Sequence, residues 1–274
     1  MRTLTGSEFL LTIYVDSLLG NPADPDGDVN YVIRDGDGDE VGSGTAEREE
    51  RGVYTVTVAT LDRPDLLDVE VTYEFDGYER RESRTIEVVG SRLVPRWLMH
   101  EVIDEDREEQ AFSPIAEDDL DRIMAEVEDT FTSALGFPPF ERPMRATVES
   151  RGGQRLRVPG VAYPLSVYAA EYGDGEAVED AYAERFHLAR PGRAHWPRGL
   201  IDLHLSHGLS RVPADLVRAG YYYGRELSRK SAHPARATEV ATEGAVFSLA
   251  TPGAATPTGV PEVDGVLIRH RLRV

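Results

Sequence analysis

The chain of 274 residues has no cysteine, so disulfides, thiolate metal sites and cysteine nucleophiles are all excluded. Lysine is nearly absent too: of 30 basic residues only Lys230 is a lysine, a skew that reflects coding composition rather than chemistry. No apolar run approaches the roughly 18 residues of a membrane-spanning helix. The opening MRTLTGSEFLLTIYV lacks a basic segment followed by an apolar one, so the expectation is a soluble protein made in a cytoplasm. Positive charge is scarce overall. A net charge of −19 argues against simple binding to nucleic-acid phosphates.

What is present is an ordinary globular composition, 41% hydrophobic, in a chain long enough for two modest domains. Acidity concentrates at the front: residues 1–90 hold 21 acidic and 8 basic side chains, a net of −13. There, short β-branched or aromatic segments at 9–15, 29–33, 53–59, 69–75 and 84–89 are separated by NPADPDGD, DGDGDE, LDRPD and DGYE. Such spacing predicts an immunoglobulin-like β-sandwich over 1–90, without the Cys–Trp–Cys signature. Gly90 and Ser91 mark the expected boundary.

Beyond it the period becomes helical. A helix is expected after Pro95, with Leu93, Trp97 and Val102 or Glu101 along its stripe. A stronger one spans 117–135, where Leu120, Ile123, Val127, Phe131 and Leu135 recur behind an acidic first turn and ahead of Gly136. A β insertion follows over about 143–207: a hairpin at 144–158, then strands at 164–172, 184–189 and 200–207. Helix returns over 212–230, with Leu216, Gly220, Tyr223 and Leu227 on one face and Tyr222 and Arg225 towards the other. Residues 231–274 hold two strand-like pieces, GAVFSLA and GVLIRHR. The fold class is therefore α+β, with domains at 1–90, 91–230 and 231–274, the last an extended arm.

Candidate chemistry is sparse. DGDGDE places Asp35, Asp37 and Asp39 at the first, third and fifth positions of a calcium loop, but Glu40 and Ala46 stand where Gly and Glu are required. It reads as a solvated turn. His204 and His207 are three apart on a strand and face opposite ways. No HExxH, G-x-S-x-G or phosphate-cradle motif occurs, so no catalytic residue, metal or cofactor is expected. YYYGRELSR mixes aromatics with arginine, but helical spacing favours packing over a nucleic-acid platform.

From residue 91 onward the order of features resembles the head-to-tail adaptor (head–tail connector) proteins of long-tailed bacteriophages. The matching pieces are EDDLDRIMAEVEDTFTSALGFPPFERP, the β insertion, SHGLSRVPADLVRAGYYYGRELSRK, and the tail with TGVPEVDGVL ahead of a basic end. The likeness spans about two-thirds of the chain and leaves out 1–90, whose modules look like the immunoglobulin-like decorations of virions. It implies a non-enzymatic virion protein at the neck, assembled in the host cytoplasm. Such a protein would form a homo-oligomeric ring, expected to be dodecameric, between the portal protein and a stopper or tail-terminator ring. DNA would pass through its lumen without specific binding. It further implies that the tail docks on the portal or a neighbouring subunit. Val260, Pro261, Val263, Val266, Leu267 and Ile268 would supply apolar contact, and Arg269, Arg271 and Arg273 would meet carboxylates. On that view the tail is mobile until assembly, and residues 1–90 fold separately and are dispensable. The alternative is a carbohydrate- or cell-surface-binding decoration protein using Tyr14, Tyr31, Tyr54, Tyr73 or Tyr78.

Overall fold

The computed structural model describes residues 2–16, 22–59, 61–109, 112–173, 175–229 and 256–272, and the backbone alone of 239–242 and 245–248. The class is α+β, and the chain divides into two compact units. The first comprises residues 1–91, 141–159 and 163–207; the second comprises 92–140, 160–162 and 208–274. The β insertion, placed by sequence within 91–230, thus groups with the N-terminal strands.

In the first unit, β1 (Arg2–Leu4), β2 (Phe9–Tyr14), β3 (Asn30–Arg34), β4 (Glu40–Thr45), β5 (Glu47–Glu50), β6 (Val53–Val58), β7 (Asp65–Phe75) and β8 (Tyr78–Val89) build a two-sheet sandwich. One sheet runs β1-β8-β7-β3-β4, the other β2-β6-β5. The pleat explains the layering. Leu67, Val69, Val71 and Tyr73 of β7 point inward against Leu11, Ile13, Val56 and Val58 of the smaller sheet. The β7–β8 hairpin turns on Asp76 and Gly77, both at positive φ, which is why DGYE works there as a tight turn. Of the five tyrosines noted above, Tyr54 and Tyr73 are core, whereas Tyr14 and Tyr78 are exposed.

The insertion supplies β9 (Arg142–Arg151), β10 (Arg155–Leu156), β11 (Pro164–Tyr172), β12 (Tyr182–Glu184), β13 (His187–Ala189) and β14 (Arg198–His207). The expected hairpin over 144–158 does not form. Instead β9 pairs with β14 in a sheet ordered β11-β14-β9, and β10 pairs with β13 in a second sheet ordered β10-β13-β12. RGGQ turns the chain out of one sheet and into another. The single strand expected at 184–189 is broken by a turn after Glu184. β9 packs beside β7 and β8, where the Arg145 guanidinium donates to the Leu66 carbonyl at 2.6 Å and the Gly90 amide donates to the Glu141 carbonyl at 3.1 Å.

The second unit is helical: α1 (Arg96–Glu109), α2 (Glu117–Leu135), α3 (Ala214–Ser228) and α4 (Pro261–His270). In α2 the five predicted apolar residues are all buried, and Gly136 ends it in the left-handed conformation. In α1 the predicted stripe is wrong: Trp97 is 67% exposed, and Met99, Ile103 and Asp106 face inward. Helix α3 is the hub, packing on the other three helices. Its glycines permit that closeness, since a Cβ on Gly224 would lie 2.4 Å from the Met99 sulfur and one on Gly220 2.7 Å from Val94. Strands β15 (Glu239–Thr242) and β16 (Ala245–Ser248) pair antiparallel.

Candidate functional site

The C-terminal segment is a helix over Pro261–His270, which corrects the expected extended strand. Pro261 occupies the first turn, Glu262 and Asp264 lie at the positive end, and Arg269 and His270 lie at the negative end. TGVPEVD is an entry device for this helix. One oxygen of the buried Asp264 carboxylate accepts from the Thr258 amide at 2.9 Å and the Thr258 hydroxyl at 2.7 Å. The Thr258 hydroxyl oxygen in turn accepts from the Val260 amide at 3.1 Å. At the far end the Leu272 amide donates to the Leu135 carbonyl at 3.0 Å.

This changes the standing of the proposed docking residues. Val263 and Leu267 are each 1% exposed and belong to the core of their own unit, where α4 packs on α2 and α3. They are not free for a partner. Val260 and Val266 are half-buried, and Pro261, Ile268, Arg269 and Arg271 are exposed. Arg273 lies outside the described residues. The helical signal in the sequence is the Val263–Leu267 spacing behind Pro261, which the alternation within 266–269 masks.

Between α3 and α4 runs a groove of ≈ 610 Å³, lined among others by Asp215, Arg218, Tyr222, Arg225, Val266 and Arg269. The guanidinium groups of Arg218 and Arg225 lie 5.5 and 5.0 Å from the Tyr222 ring centre. The hydrogen bond from Arg218, followed by its charge, holds the Tyr222 hydroxyl below its ordinary value. Helix α4 is tied to the start of α3 by His270 Nε2 and Asp215 Oδ2, 2.8 Å apart, and that contact is the main cause of the lowered Asp215 value. The groove therefore offers one aromatic face with charges of both signs.

In the first unit, DGDGDE forms the β3–β4 turn. One oxygen of Asp35 accepts the amides of Asp37 and Asp39, each at 3.0 Å, so this carboxylate closes its own loop. Asp37 is engaged by Arg63 at 2.5 Å and by His204 Nδ1 at 3.3 Å. Burial works against charge on Asp37, yet these two partners hold its carboxyl below the usual value. Among the described residues no group of three or more His, Asp or Glu is arranged to hold a metal ion. Among them too, no helix is long and apolar enough to cross a membrane.

His204 and His207 do face opposite ways. His204 is 4% exposed and meets the sandwich, its Nε2 lying 3.1 Å from the equally buried Asp65. The value of His207 is lowered to about 4, first by burial and then by the charge of Arg142. Arg142 and Arg2 both pair with Glu87. In sequence LDRPD reads only as a turn. That Arg63 and Asp65 join His204 depends on tertiary pairing across 139 positions or more, which no local pattern encodes.

No protein-family model matches this chain, and no curated protein matches it. Among solved structures, a chain from the virion of a native gene transfer agent particle aligns with a TM-score of 0.42 at 18% identity, over 66% of this chain and 93% of that one. A DUF4785 family protein from Legionella pneumophila subsp. pneumophila aligns with a TM-score of 0.25 at 14% identity, over 78% of this chain and 47% of that one. At these scores and identities, neither likeness carries a fold or a function to this chain.

Proposed function

We propose that this chain is a structural virion protein, a head-to-tail adaptor whose ring sits between the portal and the next neck ring and lines the DNA conduit. One observation carries the reading. The two helical stretches of the resemblance, far apart in sequence, become α2 and α3 of one compact unit, which the tail joins as α4 rather than as an extended arm, while most of the β insertion between them lies in the other. An adaptor core interrupted by an insertion would divide in this way. The net charge of −19 suits a lumen through which DNA slides without condensing on the wall.

Docking on this reading uses what α4 leaves exposed: Pro261, Ile268, Arg269 and Arg271, with Val260 and Val266 at the groove edge. Repetition around a ring multiplies each modest contact. The protein acts without catalysis or cofactor. The test is to mix the purified chain with its portal protein and examine the product by negative-stain microscopy and native mass measurement. Rings seated on portals are expected, and Ile268→Asp should abolish them while leaving the melting temperature within a degree or two of the parent. A chain that neither forms rings nor binds portals overturns the proposal.

A further inference from the structure

The net charge of −19 is an average that hides one region of opposite sign. The segments RGGQRLR (151–157) and RPGRAHWPR (190–198) hold six arginines and no carboxylate, which leaves 24 basic and 49 acidic side chains, a net of −25, on the rest of the chain. Both segments lie in the first compact unit. Pairing within the β insertion brings them together. Arg151 stands opposite Arg198 where β9 meets β14, and Arg155 stands opposite Ala189, next to Arg190, where β10 meets β13. The connecting turns are pinned as well. The Trp196 amide donates to the Gly153 carbonyl at 2.8 Å, and His195 Nδ1 lies 2.7 Å from the Gly152 carbonyl oxygen. The Arg190 guanidinium donates to the His195 carbonyl at 3.0 Å.

We propose that this arginine lobe binds the phosphate backbone of duplex DNA without reading its sequence. Like charges held side by side repel, and among the described residues none of the six guanidinium groups forms an ion pair with a carboxylate. The bordering acids do not fill that role: Glu184 is taken by His187, and Glu149 stands opposite Leu200 on β14. All six arginines but the half-buried Arg190 are exposed. The Pro191–Arg193 turn even holds Arg193 at φ 59°, a left-handed conformation unfavourable to an arginine, with its side chain left in solvent. The lobe keeps its charge unspent.

Three features select the partner. Charge of one sign, uninterrupted by carboxylates, matches a duplex, which presents one negative charge per about 1.7 Å of its axis. A protein partner would seek apolar anchors at the centre of the contact, and the lobe offers none: Leu156 and Trp196 are 4% and 1% exposed. A single strand would seek an aromatic face for its bases, and the one aromatic ring of the two segments, that of Trp196, is buried with its N–H given to the Leu188 carbonyl at 3.3 Å. What remains is guanidinium chemistry, which suits phosphate oxygens in paired hydrogen bonds. The acidic rest of the chain repels DNA, but at about 0.1 M salt that repulsion is screened beyond about 10 Å, so contact through the lobe survives and stays weak.

The lobe does not depend on the adaptor reading: rings without DNA affinity would sink this proposal alone, and DNA affinity without rings would sink only the adaptor. The test follows the fluorescence anisotropy of a labelled duplex of about 24 base pairs, mixed with the full chain at 50 to 200 mM sodium chloride. A Kd of about 1–100 μM is expected near 100 mM, and engagement of about four phosphates predicts a loss of affinity on the order of a hundredfold across that salt range. Arg155→Glu with Arg193→Glu should weaken binding at least about tenfold, whereas the charge-matched pair Arg81→Glu with Arg122→Glu, outside the lobe, should stay within about twofold. Arg157→Gln, on an exposed turn, should reduce the salt slope by about one without changing the melting temperature. No binding by the wild-type chain at 50 mM salt overturns the proposal without recourse to any variant. Equal losses from the two reversal pairs overturn it too, since net charge alone would then act. Tighter binding of a single strand of the same length overturns the choice of duplex. Displacement of the duplex by poly-glutamate at equal charge would assign the lobe to an acidic protein instead.

Discussion

Three positions separate His204 from His207, and the strand turns them towards opposite electrostatic settings. His204 meets carboxylates; His207 is buried near the Arg142 guanidinium, which disfavours a second positive charge. The consequence for His207 has a definite sign. Its value is lowered from 6.5 to about 4, so between those limits the unfolded chain binds a proton that the folded chain refuses. The stabilisation is complete above about 6.5 and is lost as the pH falls towards 4. The full loss is on the order of 3 kcal/mol for a shift of this size. His207→Gln should therefore flatten the decline in stability between about pH 6.5 and 4, as read from urea midpoints at several pH values, even if the variant starts less stable at neutral pH. Parallel wild-type and variant curves would show that burial of His207 does not govern the acid limb. That the two histidines face opposite ways follows from the period of a strand and was legible. That one meets Asp65 and the other Arg142 was not, because those partners come from distant segments.

Elements whose burial writes a period into the sequence were readable: α2 with its five inward residues, β2, β6 and β7 with their apolar alternation. Those without such a period were missed. Strands β4 and β5, EVGSGT and EREE, are almost wholly exposed edges, so nothing apolar announces them. In α1 the exposed Trp97 drew the stripe to the wrong face, and in α4 a four-residue alternation outweighed the helix-entry chemistry of TGVPEVD. The helix changes what truncation should do. With Val263 and Leu267 in the core, deletion of 260–274 should destabilise the helical unit rather than leave it intact. Leu267→Ala should cost about 2–5 kcal/mol, the range for a fully buried leucine, whereas Ile268→Ala on the exposed side should stay within about 0.5 kcal/mol. Thermal and urea melts of both variants decide it. Equal, small effects would mean that α4 is only loosely seated, as an arm awaiting a partner would be.

At the scale of the whole molecule, the composition shift at Gly90 suggested a sandwich that could be removed without consequence. The sandwich does own a core, built from both of its sheets and closed by Leu11, Ile13, Val56, Leu67, Val69, Val71 and Ile86. Residues 1–91 expressed alone should accordingly melt cooperatively and give a β-type circular dichroism spectrum. The converse does not hold. The insertion strands share the sandwich's compact unit, and their contacts to it include Arg142 with Glu87, Arg145 with the Leu66 carbonyl, and His204 with Asp37 and Asp65. Removing 1–90 would strip these partners from β9 and β14 and expose His204, now 4% accessible, on an open sheet face. A fragment of 92–274 should therefore keep a helical spectrum from α1 to α4 while its insertion exchanges amide hydrogens rapidly and the fragment self-associates. Hydrogen exchange over 142–151 and 198–207, with light scattering of the same sample, separates the outcomes. Full protection there in a monomeric fragment would mean that the insertion stands without the sandwich, and the N-terminal strands would return to the status of a detachable decoration.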